Sequence, residues 1–384
     1  MSDEVREFRV DVPEEVLADL RRRLADARYP EQIPGTGWEY GTELGKLKEL
    51  VAYWRDKFDW RAQEARLNAF PQFETEIDGQ RIHFIHARSR HENAMPLLIS
   101  HGWPGSVVEF LKVIEPLRDP EAHGGRAEDA FHVICPSLPG YGFSGPTDER
   151  QWDLQRMADA FAALMARLGY TRYGAQGGDW GALITTQIGL RDAEHLSGIH
   201  VNMPVALPPA GADPQEGLSD AEKADLADYQ LFDLNETGYQ KIQGSKPQTL
   251  GFALMDSPTG LAAWILEKFR TWSDCGGDVE SVYTLDELLA NITVYWVTGT
   301  ITSSTRLYYE VTKGGRVGFI GNKVQVPTGV ARFPKEIMRF PRKWVENHYN
   351  VTHWTDMPRG GHFAAMEQPA LFVEDVRKFF ATVR

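Results

Sequence analysis

Asp179, Glu336 and His362 are the side chains from which chemistry is most readily built. Each lies in a short stretch rich in glycine or proline: GGDWG (177–181), VARFPKE (330–336) and RGGHF (359–363). Asp179 follows YTRYGAQ, an apolar stretch of strand character, and precedes the helical pattern ALITTQIGL. Strand, glycine, nucleophile, glycine and helix spell a nucleophile elbow, in which close packing demands small residues on both sides of a sharp turn. In chains built this way the acid follows the next-to-last strand and the histidine follows the last one. His362, preceded by two glycines and followed by a helical stretch, takes the place of the base. Glu336, just after VQVPTGV, takes that of the acid; Asp356 is its rival but lies inside the last strand pattern. Upstream, HGWPGS (101–106) ends the first core strand in a tight turn, where the Trp103 N–H can meet an oxyanion. The N–H of Trp180, directly after the nucleophile, supplies the second donor. Taken singly, Asp179 reads as a helix cap, His362 as a structural histidine and HGWPGS as a plain turn. Their order along one chain favours chemistry.

A serine at the elbow would attack a carbonyl, whereas a carboxylate must attack a saturated, electrophilic carbon and itself become the acyl group of an ester. Water activated by His362 and oriented through Glu336 would then hydrolyse that ester. The attacked carbon needs a leaving group, which narrows the electrophiles to epoxides and alkyl halides. An epoxide oxygen leaves poorly unless an acid protonates it, and tyrosine stays protonated at neutral pH. The chain has several tyrosines in its helical middle, Tyr239 and Tyr308 among them, and by composition alone each reads as an amphipathic packing residue.

The elements that must hold these groups fall into three regions. Residues 13–27 set Leu17, Leu20 and Leu24 on one helical face, with glutamates early and arginines late, as the helix dipole favours. LKELVAYWRDKF repeats that spacing, and FETEIDGQRIHFIHA alternates about Asp78-Gly79, a hairpin signal. From residue 96, short apolar runs (PLLIS, FHVIC, RYGAQ, GIHV, VQVPTGV, NVTHWTDM) alternate with helical segments, the pattern of a parallel sheet covered on both faces. The predicted class is α/β: an N-terminal region over 1–92, a core over 93–204 and 314–384, and a helical lid over 205–313, whose LAAWILEKF and LDELLANITVYW are helical and aromatic.

With 42% hydrophobic and 11% aromatic residues the chain is an ordinary globular protein with ample means to line an apolar pocket. A formal charge of −13 without a basic run disfavours nucleic acid and anionic membranes as partners. Two cysteines exclude a disulfide framework and a cysteine metal site, and no apolar run is long enough to span a bilayer. A cytoplasmic location is expected, with no cofactor and no metal. Homo-oligomerisation stays open, since the N-terminal helices can pack on the core or on a second subunit.

HGWPGS, GGDWG, TGYQKIQGSKPQTLGFALMDSP, SSTRLYYE, VPTGVARFPKE and RGGHFAAMEQP together resemble the epoxide hydrolases of the microsomal and juvenile-hormone type, over essentially the whole chain. The resemblance implies the α/β-hydrolase fold, with Asp179 as nucleophile, His362 as base and Glu336 as its acid partner. It also implies Tyr239 and Tyr308 as the ring-opening acids, with Tyr309 adjacent to the second. Eukaryotic members carry an N-terminal membrane anchor ahead of the segment at which this chain begins, so a soluble bacterial form is expected, serving detoxification or a natural-product pathway such as that of an enediyne antibiotic. Aromatics at Trp103, Trp264 and Trp272 suggest a pocket for a bulky, aryl-substituted epoxide. A haloalkane dehalogenase would share Asp179 and His362 but carries a halide-binding side chain, often asparagine, where Trp103 stands. A non-catalytic binding protein on the same fold is the alternative from another class, and no eroded catalytic position suggests it.

Overall fold

Each apolar run read as a strand pairs into one nine-stranded sheet in the computed structural model, which describes residues 4–209, 211, 213–314 and 322–384. In chain order the strands are β1 (Arg6–Phe8), β2 (Gln72–Ile77), β3 (Gln80–Ala87), β4 (Met95–Ser100), β5 (Phe131–Pro136), β6 (Tyr173–Gly177), β7 (Leu196–Val201), β8 (Val324–Arg332) and β9 (Tyr349–Asp356). Their spatial order is β1-β2-β3-β5-β4-β6-β7-β8-β9. The first three strands and the β3–β5 pair are antiparallel, and every pairing from β5 to β9 is parallel. Chain order reverses between β4 and β6, and the crevice outside the carboxyl ends of the strands at such a reversal is where open α/β sheets bind ligands. Ser100 of β4 lies opposite Gly177 of β6, so HGWPGS and GGDWG emerge side by side.

The hairpin between β2 and β3 turns on Asp78 and Gly79, both at positive φ (52° and 75°), as a two-residue turn matched to strand twist requires. The alternation read in β3 does not become one wet face. Ile82 through Ala87 are all buried, because β3 lies inside the sheet rather than at its edge. His83 is held there by Gln72 and Ser137, and burial pushes its pKa down to about 3. β1, three residues long, is too short to show a period, and the eight-residue helix Trp60–Leu67 lies just beyond the stretch LKELVAYWRDKF that the sequence marks.

Between β7 and β8 the chain forms the helices Asp220–Glu236, Gly238–Gln243, Pro247–Asp256, Pro258–Trp272, Leu285–Thr298 and Ile301–Gly314. The N-terminal helices Glu14–Ala25 and Leu44–Asp56 pack against this group, with Thr42 donating to the Ala263 carbonyl and Tyr53 to Asp286. Leu285–Thr298 is pinned to the HGWPGS turn. Asn291 accepts from Ser106 and donates to the Pro104 carbonyl, and the Tyr295 hydroxyl donates to that of Gly105, each at 2.7 Å. No helix among the described residues is long and apolar enough to cross a membrane.

On the opposite side, the helix Pro369–Phe380 is tied to the sheet by Asp375, whose buried carboxylate meets His200 of β7 at 3.0 Å and His353 and Thr355 of β9 at 2.9 and 2.6 Å. Burial works against its charge, yet those hydrogen bonds outweigh it and hold the carboxyl well below the usual range. A depressed carboxyl stabilises the fold above its unfolded pKa of about 3.9, and that contribution fades as pH falls toward the folded value. Asp375→Asn is therefore expected to cost roughly 1–3 kcal/mol at pH 7 and to flatten the acid limb of stability between about pH 5 and 2. Urea melts across that range check it, and an acid limb identical to the parent's would contradict it.

Candidate active site

The strand β6 ends at Gly177, and two residues later the backbone at Asp179 adopts φ 51°, ψ −130° before the helix Trp180–Arg191 begins. Positive φ on a non-glycine residue costs on the order of 1–3 kcal/mol and persists only where the surroundings enforce it. Enforcement comes from Gly181, where a Cβ would fall 2.0 Å from the Ser100 carbonyl oxygen, so its absence lets the helix press against the end of β4. Asp179 stands at the N-cap position but makes no capping hydrogen bond. Its Oδ1 instead accepts from the Trp103 N–H at 2.8 Å. Trp180 is the first residue of the helix, where N–H groups have no acceptor within it.

Asp179 Oδ2 lies 3.2 Å from His362 Nε2, and Glu336 Oε1 lies 2.6 Å from His362 Nδ1. The Ile337 N–H also donates to Glu336 Oε1 at 2.8 Å. The His362 and Glu336 side chains are each 1% exposed and that of Asp179 13%. Burial alone would disfavour a charged imidazole, but the flanking carboxylates of Glu336 and Asp179 prevail and raise the His362 pKa well above its ordinary value. Asp356, the rival acid, sits at the exposed end of β9 paired with Arg332.

Tyr239, on Gly238–Gln243, and Tyr308, on Ile301–Gly314, are both buried against Trp103, with ring centroids 5.3 and 5.8 Å from its indole and 5.8 Å from each other. Burial, with the Asp179 carboxylate adding to it, raises both phenols above their ordinary pKa, so they hold their protons at neutral pH. Trp180 packs edge-on to Tyr308 at 4.8 Å, and Trp272 to the His362 ring at 5.0 Å. Tyr309, by contrast, is 40% exposed. Trp264 is not brought to this cluster. It lies on the same helix as Trp272, but its indole donates to Gln243 at 2.9 Å instead of joining the rings around Trp103. Among the described residues no group of three His, Cys, Asp or Glu is arranged to hold a metal ion.

With this geometry in place, comparison with known proteins is specific. Residues 5–110 match the family described as the epoxide hydrolase N terminus, and residues 95–262 the alpha/beta hydrolase fold. A Stigmatella aurantiaca protein is 50% identical over 98% of this chain and 85% of its own, and epoxide hydrolase 1 of Sus scrofa is 41% identical over 98% and 88%. The crystal structure of juvenile hormone epoxide hydrolase from the silkworm Bombyx mori superposes with a TM-score of 0.91 at 34% identity, covering 99% of this chain and 95% of that one. The chain belongs to the epoxide hydrolase family.

The epoxide hydrolase holds its histidine loop with a residue that reasoning from sequence passed over. Glu367 accepts from the N–H groups of Gly361 and Phe363, one on each side of His362, and from that of Asp274, all at 2.9 Å. Burial raises its pKa to about 7 against the pull of those three donors. The Trp272 carbonyl accepts the His362 N–H at 2.9 Å, and Asp274 accepts that of Gly360. A signal existed: the lone carboxylate in HFAAMEQP stands in an otherwise apolar stretch, where a charge needs partners. For the elbow, Gly181→Ala is expected to destabilise the enzyme by at least about 3 kcal/mol and abolish turnover, because backbone and not a movable side chain blocks the methyl. Thermal melts and diol formation check both; a stable, active variant would show that β4 and the helix can part.

Proposed function

We propose that this epoxide hydrolase opens its substrate through a covalent aspartyl ester. The observation that carries the reading is the division of one carboxylate, with Oδ1 held by the Trp103 N–H and Oδ2 presented next to His362. In the first step Asp179 Oδ2 attacks a ring carbon from the back as the carbon–oxygen bond breaks, and Tyr239 and Tyr308 hold and protonate the departing oxygen. Alkylation removes the negative charge of Asp179 that helped to keep His362 protonated. The imidazole then has only Glu336 as counter-charge, gives up its proton to the tyrosinate left by ring opening and becomes competent as a base.

In the second step His362 takes a proton from water, whose oxygen adds to the ester carbon, and the oxyanion formed on Oδ1 is stabilised by the N–H groups of Trp103 and Trp180. Collapse breaks the bond to Oδ2, and His362 returns its proton to the departing diol. The water's second proton, left on the regenerated carboxyl, returns His362 to its protonated resting state. No cofactor takes part in this scheme. In the same reading residues 205–313 act as the lid over the core of 93–204 and 314–384, and residues 1–92 brace it.

For substrate, the tryptophan and tyrosine surround favours a bulky, aryl-substituted epoxide over a small aliphatic one. Trp103, Tyr239, Tyr308 and Trp272 pack on one another, so such a substrate must part these rings to reach Asp179.

Two experiments test the mechanism and one the substrate. His362→Gln mixed with styrene oxide should accumulate an adduct of the epoxide's mass on Asp179, read by intact-protein and peptide mass spectrometry; no adduct across aryl and alkyl epoxides would refute the ester. Tyr239→Phe and Tyr308→Phe should each slow ring opening by roughly tenfold or more, and together by about 10²–10⁴. Turnover of small aliphatic epoxides markedly faster than styrene oxide would overturn the substrate assignment.

A further inference from the structure

Glu109 is a carboxyl group that the scheme above leaves unused. Its neighbours along the chain, from His101 to Val108 and again at Phe110, are buried, yet Glu109 retains accessible surface. It lines a small cavity of about 20 Å³ together with Asp179, His362, Gly178, Gln176 and Asn202. A volume of this size holds about one water molecule, which needs two to four polar partners to stay. Among the described residues the Glu109 carboxyl has no hydrogen bond or ion pair of its own. The carboxyl lies against Gly105, where a Cβ would fall 1.5 Å from Glu109 Oε1. Asn202, also in the lining, adds a donor. Its Oδ1 accepts from Gln176 at 2.8 Å, which leaves the Nδ2 group beside Gly178.

We propose that Glu109 holds the hydrolytic water, seating it with Asn202 so that its oxygen faces the Asp179 ester carbon and its proton faces His362 Nε2. The inference rests on the aspartyl-ester reading and assigns the water of its second step to a built site. Burial, together with the nearby Asp179 charge, raises the Glu109 pKa to about 8 despite the opposing influence of His362, so at neutral pH the carboxyl is largely protonated. A neutral carboxyl can accept one of the water's protons on its carbonyl oxygen while Asn202 donates to one lone pair, which leaves the other proton for His362 and the second lone pair for the ester carbon, without placing a second negative charge beside the nucleophile. Glu109 neither gains nor loses an electron pair in the step. The water proton goes to His362, the new carbon–oxygen bond forms at the ester carbon, and the bond to the diol oxygen breaks.

The test separates the two half-reactions by quenched-flow mass spectrometry with styrene oxide. In Glu109→Leu the aspartyl adduct should form within about twofold of the parental rate but decay roughly 10- to 100-fold more slowly. Glu109→Gln, which keeps the shape and a carbonyl acceptor but offers an amide in place of the hydroxyl, should decay at an intermediate rate. Gly105→Ala provides an independent variant, because its methyl displaces the carboxyl without altering it, and should reproduce the slow decay. Decay at the parental rate in Glu109→Leu would overturn the assignment. So would equal losses in formation and decay accompanied by a lowered melting temperature, the signature of a structural role. His362→Gln distinguishes the levels: if it traps no adduct, the ester reading fails and this inference with it. If it traps one while Glu109→Leu decays normally, only the water site fails.

Discussion

A strained aspartate pressed between two strand ends is the constraint on which the rest of the site depends. Asp179 keeps its positive φ because Gly181 lets the helix behind it contact Ser100, and that contact aims the carboxylate away from the helix whose N-terminus it occupies. An aspartate in relaxed geometry would satisfy the first-turn N–H groups itself, as N-caps do, and be spent as a cap. Here the strain frees both oxygens, and one is taken at once by the Trp103 N–H. The remaining oxygen, the imidazole and Glu336 form a row of alternating charge with little access to water. Interactions across such a row are far stronger than at a surface, so the loss of one charge would be felt by its neighbour.

Much of this was legible because the decisive signals are local. The glycines of GGDWG report a turn whose neighbours come too close for a side chain, and the rank of Glu336 and His362 after successive strands follows from sheet topology. The preference for Glu336 over Asp356 was an argument about direction along a strand end, and the exposed Arg332 pair shows where Asp356 points. Tyr239 and Tyr308 are different. They belong to separate helices and meet only through helix packing, so their spacing carries no sign of it and only resemblance to a family singled them out.

Other features stayed hidden for related reasons. Trp264 and Trp272 looked equivalent on one aromatic helix, but rotation about its axis sends the first to Gln243 and the second to His362. β1 is too short for periodicity to register. Glu109 and Glu367 stood in plain sight as single carboxylates within VVEF and AAME. A buried acid in an apolar run must be partnered or neutral, and each of these two illustrates one solution.

The segment between β7 and β8 braces the loops that carry the site. Asn291 and Tyr295 hold the turn that carries the Trp103 N–H, while Trp272 and Asp274 hold the loop that carries His362. The clustered rings and the loop-bracing groups thus belong to the same insertion, on adjoining helices. A chimaera that exchanges this insertion wholesale for another would import a new specificity and dismantle the hydrolytic centre in the same stroke. Grafts that keep positions 272, 274, 291 and 295 while varying the faces around Tyr239 and Tyr308 respect that coupling, which makes those four positions the natural seam for redesign.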